Sequence, residues 1–269
     1  KAADALKYFS KPIKKILFSS MGEPLLNKKL PEMIKYVKDI GVASYCEIIT
    51  NASLLTHELS EKLVDSGLDR LCVSIQGVTS QKYQEISQVN LNYDSIVKEL
   101  SYFYQYSRGK CKVHIKTVDI ALDDGEDSIF YNTFSKISDT VNIDSVIEAF
   151  QDVDYSNMIQ DTSKGLYGDK QRYRLVCPSV FYTMYILPNG DVVTCCNPPY
   201  PIILGNIIND DLLNMWNGQK RLNLLKMQLE GRRMMHPICK GCISPKATNF
   251  KEDDLDKDRE KLLNHFMQI

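Results

Sequence analysis

Cys177, Cys195, Cys239 and Cys242 are the residues whose type and spacing point most directly to chemistry. In Cys239-Lys240-Gly241-Cys242 the two-residue gap sets a pair of sulfurs within reach of one metal centre, and Cys177 and Cys195 can supply two more. Between them, Tyr182 to Leu187 and Asp191 to Thr194 read as strands joined by Pro188-Asn189-Gly190, and Asn-Gly is a strong hairpin signal. Such a hairpin carries Cys195 back beside the start of the segment. Four converging thiolates suit an iron–sulfur cluster or a zinc ion, and spacing alone leaves both open. In Cys195-Cys196, neighbouring side chains on an extended segment point to opposite sides, so one of the two faces elsewhere.

The elements that must position these sulfurs sit in a chain of 269 residues and 30.8 kDa, 43% hydrophobic, enough for one large and one small domain. A net charge of −1 and the lack of a long basic run give no reason to invoke nucleic acid or a membrane surface. No apolar run reaches membrane-spanning length and the N-terminus does not read as a signal peptide, so a cytoplasmic location is expected. In that setting eight cysteines are thiols and ligands rather than disulfides. Cys46, Cys72 and Cys111 read as buried small hydrophobes. The chain opens on Lys1 rather than Met, and is expected to be a fragment.

The first 150 or so residues alternate apolar strands with helical stretches. Strands are expected at Lys15–Ser19, Tyr45–Thr50, Leu71–Ile75, Lys112–Ile120 and Ser145–Phe150. Helices are expected at Lys28–Ile40, with Leu30, Met33, Ile34 and Val37 on one face, and at Thr56–Ser66, Thr79–Ser87, Asp94–Tyr106 and Asp127–Ser138. Repeated βα units demand a parallel sheet with crossover helices, and without a dinucleotide glycine fingerprint they favour an open barrel or curved sheet. Ligands then gather at the carboxyl ends of the strands. That rim comprises Ser19-Ser20 with Glu23, Thr50-Asn51, Ser74 to Gln76, Lys116 to Asp119 and Glu148. His114 and Lys116 share one face of their strand, opposite Val113 and Ile115, which suits a substrate pocket or a hydrogen-bonded core pair. Glu148 is a third such candidate, in a pocket or a buried ion pair.

Three stretches then carry a resemblance: Ser19-Ser20-Met21-Gly22-Glu23-Pro24-Leu25-Leu26, Ile49-Thr50-Asn51-Ala52 and Val73-Ser74-Ile75-Gln76-Gly77. Each lies at a strand end, and together they resemble the radical S-adenosylmethionine (SAM) superfamily. The block from Cys177 to Cys242, with its Pro-Asn-Gly-Asp turn, Leu204-Gly205-Asn206-Ile207 and Trp216, is similar to the SPASM/twitch extension that holds an auxiliary [4Fe–4S] cluster. The resemblance implies an α/β fold: a partial (β/α) TIM-like barrel with its first strand missing over 1–160, a cysteine-rich α+β twitch/SPASM domain over 170–250, and a C-terminal helix over 251–269. It implies that Glu23, with the backbone at Gly22, meets the methionyl ammonium of SAM, and that Ser74 and Asn51 meet its ribose or carboxylate. It also selects Cys195 over Cys196 by its spacing from Gly190. The superfamily's CxxxCxxC loop, which carries the SAM-cleaving [4Fe–4S] cluster, is not among these residues and is expected upstream of Lys1.

The function so implied is a radical SAM oxidoreductase: a 5′-deoxyadenosyl radical takes a hydrogen atom from substrate and the auxiliary cluster accepts an electron. A twitch-type dehydrogenase of a small alcohol or sugar-like molecule is the first expectation, and a peptide maturase the alternative. A flavodoxin- or ferredoxin-like protein would donate electrons. A non-catalytic four-cysteine metal-binding module is the remaining reading. Trp216 and the Leu222, Leu225, Leu229 stripe read as core packing, and the charged run Lys251 to Arg259 as a solvated terminal helix.

Overall fold

The computed structural model describes residues 1–19, 22–149, 153–159, 161–195, 200–248 and 250–267; Ser20, Met21, Phe150 and Cys196 lie outside the described residues. The chain divides into two compact units, Phe9–Ser145 and a second built from Lys1–Tyr8 with Val146–Ile269.

In the first unit, strands β1 (Ile16–Phe18), β2 (Cys46–Thr50), β3 (Arg70–Ser74), β4 (Lys112–Val118) and β5 (Thr140–Asp144) form one sheet in sequential order, every pair parallel. Helices α2 (Leu30–Asp39), α3 (His57–Asp65), α4 (Ser80–Ser87), α5 (Tyr93–Ser107) and α6 (Glu126–Phe134) make the crossovers; the short helix α1 (Ala2–Ala5) belongs to the second unit. This is the α/β architecture of a partial (β/α) barrel. Side-chain caps begin three of the helices. The Thr56 hydroxyl accepts from Leu59 N at 3.2 Å, Thr79 from Lys82 N at 3.1 Å and Asn92 from Ser95 N at 3.0 Å. Register partners share a face, so Ile48, Leu71, Val73, Val113 and Ile115 form one buried face beneath these helices. The opposite face is mainly polar, with Glu47, Arg70, Ser74, His114, Lys116, Asn142 and Asp144 set around Ile49, Cys72 and Val118.

Three expectations for this unit need correction. Met33 is 42% exposed, because the buried stripe of α2 runs through Leu30, Pro31, Ile34 and Val37 instead. Helix α6 stops at Phe134, where the Ser138 hydroxyl donates to the Phe134 carbonyl at 2.7 Å. The fifth strand is Thr140–Asp144 rather than Ser145–Phe150. Asp139 explains the register: its main-chain N–H donates to the Val113 carbonyl and its carboxylate accepts from Val113 N, both at 2.8 Å. Pairing with β4 therefore begins at the next residue. Ser145–Ala149 follow the strand without regular structure, so Glu148 lies four residues past its end.

The second unit holds an antiparallel sheet of β6 (Tyr185–Ile186), β7 (Asp191–Val193) and β8 (Ile203–Asn206). Around it lie α7 (Ser179–Tyr182), α8 (Leu212–Asn217), α9 (Gln219–Leu229), α10 (Ser244–Ala247) and α11 (Arg259–Met267). The hairpin forms around Pro188-Asn189-Gly190, with Gly190 at φ +88°. A Cβ at Gly190 would meet Asn206 Oδ1 at 2.8 Å, and Asn206 is the residue that ties the turn down through Asn189 O and Asp191 Oδ1. The first hairpin strand is shorter than expected, since Ser179–Tyr182 turn helically. At the C-terminus, Lys251–Asp253 and Asp256–Asp258 are 3-10 turns and the helix starts only at Arg259. The Asp256 carboxylate is drawn away to accept from Leu175 N (2.9 Å) and Val176 N (3.0 Å).

Candidate functional site

The cysteine-bearing segments of the second unit are joined by three side chains. Cys177 is buried and packs with Val180, Leu224 and Leu225; Cys239 is buried at the head of a 3-10 turn; Cys195, just after β7, and Cys242 are half-buried. Gln228, fully buried on α9, accepts from Cys177 N at 3.1 Å through its side-chain oxygen and donates through Nε2 towards Cys239 Sγ at 3.8 Å. Arg233 donates through Nη1 to the carbonyls of Cys239 (3.0 Å) and Cys242 (3.5 Å), and through Nη2 to that of Arg174 (3.1 Å). The Thr183 hydroxyl lies 2.7 Å from the Ser179 carbonyl and 3.0 Å from that of Thr194, so it ties the residue before Cys195 to the turn after Cys177.

The sulfurs feel one another. Burial pushes the Cys239 thiol up to about 11, with Cys177 and Cys242 adding to the rise and the Arg233 guanidinium opposing it. Cys177 is raised as well, first by burial and then, against main-chain hydrogen bonding at Ser179, by Cys242. Yet among the described residues no group of three or more His, Cys, Asp or Glu side chains closes around a point as a single ion requires. Four thiolates can serve either a single tetrahedral ion or a cube that offers a separate iron to each sulfur. The donor set, all sulfur with Cys177 and Cys239 buried and Cys195 and Cys242 half-buried, suits such a group.

Two helix residues were missed from the sequence. Arg221 and Gln228 are seven positions apart, hence on one face of α9, and both are buried beside Leu224, Leu225 and Leu229, whereas Leu222 is only half-buried. Arg221 stacks 3.5 Å over the Trp216 ring and donates to the carbonyls of Trp216 and Phe181 at 3.1 and 2.8 Å.

At the sheet's carboxyl edge, Glu23 is held by its own unit. Oε1 accepts from Leu25 N (2.9 Å) and the Thr50 hydroxyl (2.5 Å), and Oε2 from Asn51 N (2.8 Å). It caps the 3-10 turn Pro24–Leu26 and links the ends of β1 and β2, and each oxygen keeps acceptor capacity for a ligand cation. Gly22 takes φ +105°, a conformation natural only to glycine. Asn51 Oδ1 accepts from Ser53 N at 2.9 Å in an Asx turn. Ser74 ends β3 and is the register partner of Lys116.

Lys116 Nζ donates to Asp144 Oδ2 at 2.7 Å, and Asn142 Nδ2 to Asp144 Oδ1 at 2.5 Å. Asp144, 2% exposed, was missed from the sequence. Its signal is the alternation Thr140, Asn142, Asp144 against Val141 and Ile143, which appears only once the strand is placed there. His114 Nδ1 lies 2.8 Å from the Thr140 hydroxyl; burial, then the nearby Arg70 and Lys116 cations, push its pKa down. The expected placement of Glu148 at a strand tip is corrected. It belongs to the second unit, where it lines a cavity of about 680 Å3 with Tyr173, Lys240, Cys242 and Lys246. Cys46, Cys72 and Cys111 are buried as expected, the first and last pushed by burial to about 11 and about 12. No helix among the described residues is long and apolar enough to cross a membrane.

Comparison with known proteins agrees with this geometry. The radical SAM superfamily model matches residues 1–118 and the iron–sulfur cluster-binding domain model, SPASM, matches residues 177–243. A probable GTP 3′,8-cyclase of Methanococcus maripaludis is 31% identical over 111 residues, 41% of this chain and 36% of the relative. A PqqA peptide cyclase of Bradyrhizobium diazoefficiens is 44% identical over 59 residues, 22% of this chain and 15% of the relative. The chain thus aligns with about a third or less of the length of these relatives. Among solved structures, native anSMEcpe with bound AdoMet superposes with a TM-score of 0.59 at 14% identity, covering 99% of this chain and 86% of that one. Iron–sulfur clusters and SAM are the cofactors of these two domains. The chain belongs to the radical SAM superfamily and carries a C-terminal SPASM domain.

Proposed function

We propose that the protein to which this chain belongs is a radical SAM oxidoreductase whose SPASM centre is a [4Fe–4S] cluster held by Cys177, Cys195, Cys239 and Cys242. The observation that carries the reading is the junction at Gln228, whose amide touches the Cys177 main chain and the Cys239 sulfur at once. With its cofactors bound, the chemistry supplied is removal of a substrate hydrogen atom by a 5′-deoxyadenosyl radical, with an electron then passing to the auxiliary cluster.

This chain's own residues bind, orient and handle the proton. Glu23 accepts from the methionyl ammonium of SAM while Gly22 brings the main chain close. Ser74 and Asn51 hydrogen-bond the ribose or carboxylate. Lys116, ion-paired with Asp144, orients polar groups over the sheet edge. His114, with its depressed pKa and its Nδ1 on Thr140, accepts the substrate proton at Nε2. Glu148, beside Cys242, is the alternative acceptor. A CxxxCxxC loop lies upstream in the whole protein, and a flavodoxin- or ferredoxin-like protein donates electrons. The substrate is a small alcohol or sugar-like molecule. A peptide is the second reading, favoured by the similarity to a PqqA peptide cyclase.

Anaerobic reconstitution with iron and sulfide tests the ligand set. The expected result is about four irons per chain, with Cys177→Ser reducing that content sharply. One zinc and no sulfur-to-iron charge-transfer absorption would overturn it.

A further inference from the structure

The side chains that join the ligand segments are themselves unusual for a buried site. Gln228 is 0% exposed and sits in the last turn of α9. Because its Oε1 is occupied by the Cys177 N–H, its Nε2 must turn the other way, towards Cys239 Sγ. Arg233 is 5% exposed and spends its fork on main-chain carbonyls, two of them in the CxxC loop. Among the described residues no carboxylate pairs with it, so a full positive charge is buried beside the thiols. A buried cation without a counter-ion is costly. The site's own thiolates are the anions within reach.

We propose that Gln228 and Arg233 are positioning residues that set the reduction potential of the SPASM centre, Gln228 by donating to the Cys239 sulfur and Arg233 by supplying the counter-charge. A cluster held by four thiolates is net anionic and gains one more negative charge when an electron enters. A hydrogen-bond donor aimed at a ligand sulfur and a fixed cation behind the loop both favour that reduced state. The same contacts hold the Cys177 and Cys239 segments in place, so the electron enters with little movement of the ligands. This rests on Cys239 being a cluster ligand, as proposed above.

The test is a redox titration of the reconstituted protein, following the EPR signal of the reduced SPASM centre, with iron content measured on each sample. Gln228→Leu removes both contacts. Gln228→Glu keeps an acceptor for the Cys177 N–H and replaces the amide donor by an ionisable carboxyl, so a wild-type potential in it counts against the proposal even if the leucine variant does not load. Arg233→Gln removes the charge and keeps a side chain able to donate to a carbonyl. Each is expected to retain iron and to lower the reduced-to-oxidised ratio at a fixed potential by about tenfold, equivalent to about 59 mV for a one-electron couple. Wild-type potentials at wild-type iron content in Gln228→Glu and Arg233→Gln would overturn the proposal. Cys239→Ser separates the two readings: if it leaves spectrum, iron and potential unchanged, the ligand assignment has failed. If it alters them while the Gln228 and Arg233 variants do not, only the tuning role has failed.

Discussion

The two units bury charge in opposite ways. In the sheet unit the buried charges are carboxylates, and each meets a cation on an adjacent strand. Glu47 is paired with Lys15 at 3.0 Å and Arg70 at 3.4 Å, and Asp144 with Lys116 at 2.7 Å. In the cysteine-bearing unit they are guanidinium groups whose donors go to main-chain carbonyls. Arg174 reaches Pro245 and Phe250, Arg221 reaches Trp216 and Phe181, and Arg233 reaches Cys239, Cys242 and Arg174. The difference follows from how each backbone is satisfied. A parallel ladder uses its own N–H and C=O groups, so charged side chains on its polar face pair with each other. A unit of short strands and turns leaves carbonyls without ladder partners, and the five-donor fork of arginine joins several at once.

The largest effect expected from this contrast is at Arg221. Replacing it with Met strips donors from the Trp216, Val180 and Phe181 carbonyls and should cost about 3 kcal/mol, at about 1 kcal/mol for each orphaned acceptor. Arg221→Lys should recover little, since an ammonium cannot span the three. Urea unfolding gives the cost and hydrogen exchange should place it in the second unit; loss in the sheet unit would break the contrast.

Next comes Asp144→Asn. It should cost about 2 kcal/mol, less than a fully buried pair because Lys116 is 27% exposed. Adding Lys116→Met should return most of that loss if the two charges compensate one another. A double variant as damaged as the sum of the singles would mean that they do not.

The smallest expected effect is a pH dependence from His114. Its folded pKa lies below the unfolded value of about 6.5, so the unfolded chain takes up a proton first as pH falls. The associated stability is complete above about pH 6.5 and is lost as pH drops through the folded value. His114→Gln should flatten the difference between unfolding midpoints at pH 7.5 and pH 5.5. An unchanged slope would assign the pH response to other groups.

Much of this was legible from local pattern. Apolar runs and cap residues placed β1 to β4 and α2 to α5, because periodicity and capping act over one or two turns. The fifth strand was not, because Asp139 decides its start by binding Val113, 26 residues earlier. The cysteine spacing and the Asn-Gly turn likewise located the candidate centre. The roles of Gln228 and Arg221 were hidden, since the apolar stripe of α9 reads as core whether or not a polar residue shares its face.

The amino-acid sequence by itself determined the alternating α/β plan, the hairpin and which cysteines are spaced to act together. Only the tertiary structure decided what holds those cysteines in place: Gln228 acts across 51 residues on Cys177, and Arg233 across 59 on Arg174. Hydrophobic period and turn chemistry are local and therefore written in the residue order. The satisfaction of buried polar groups is a demand on whatever packs nearby, and its partners are known only once the chain has folded.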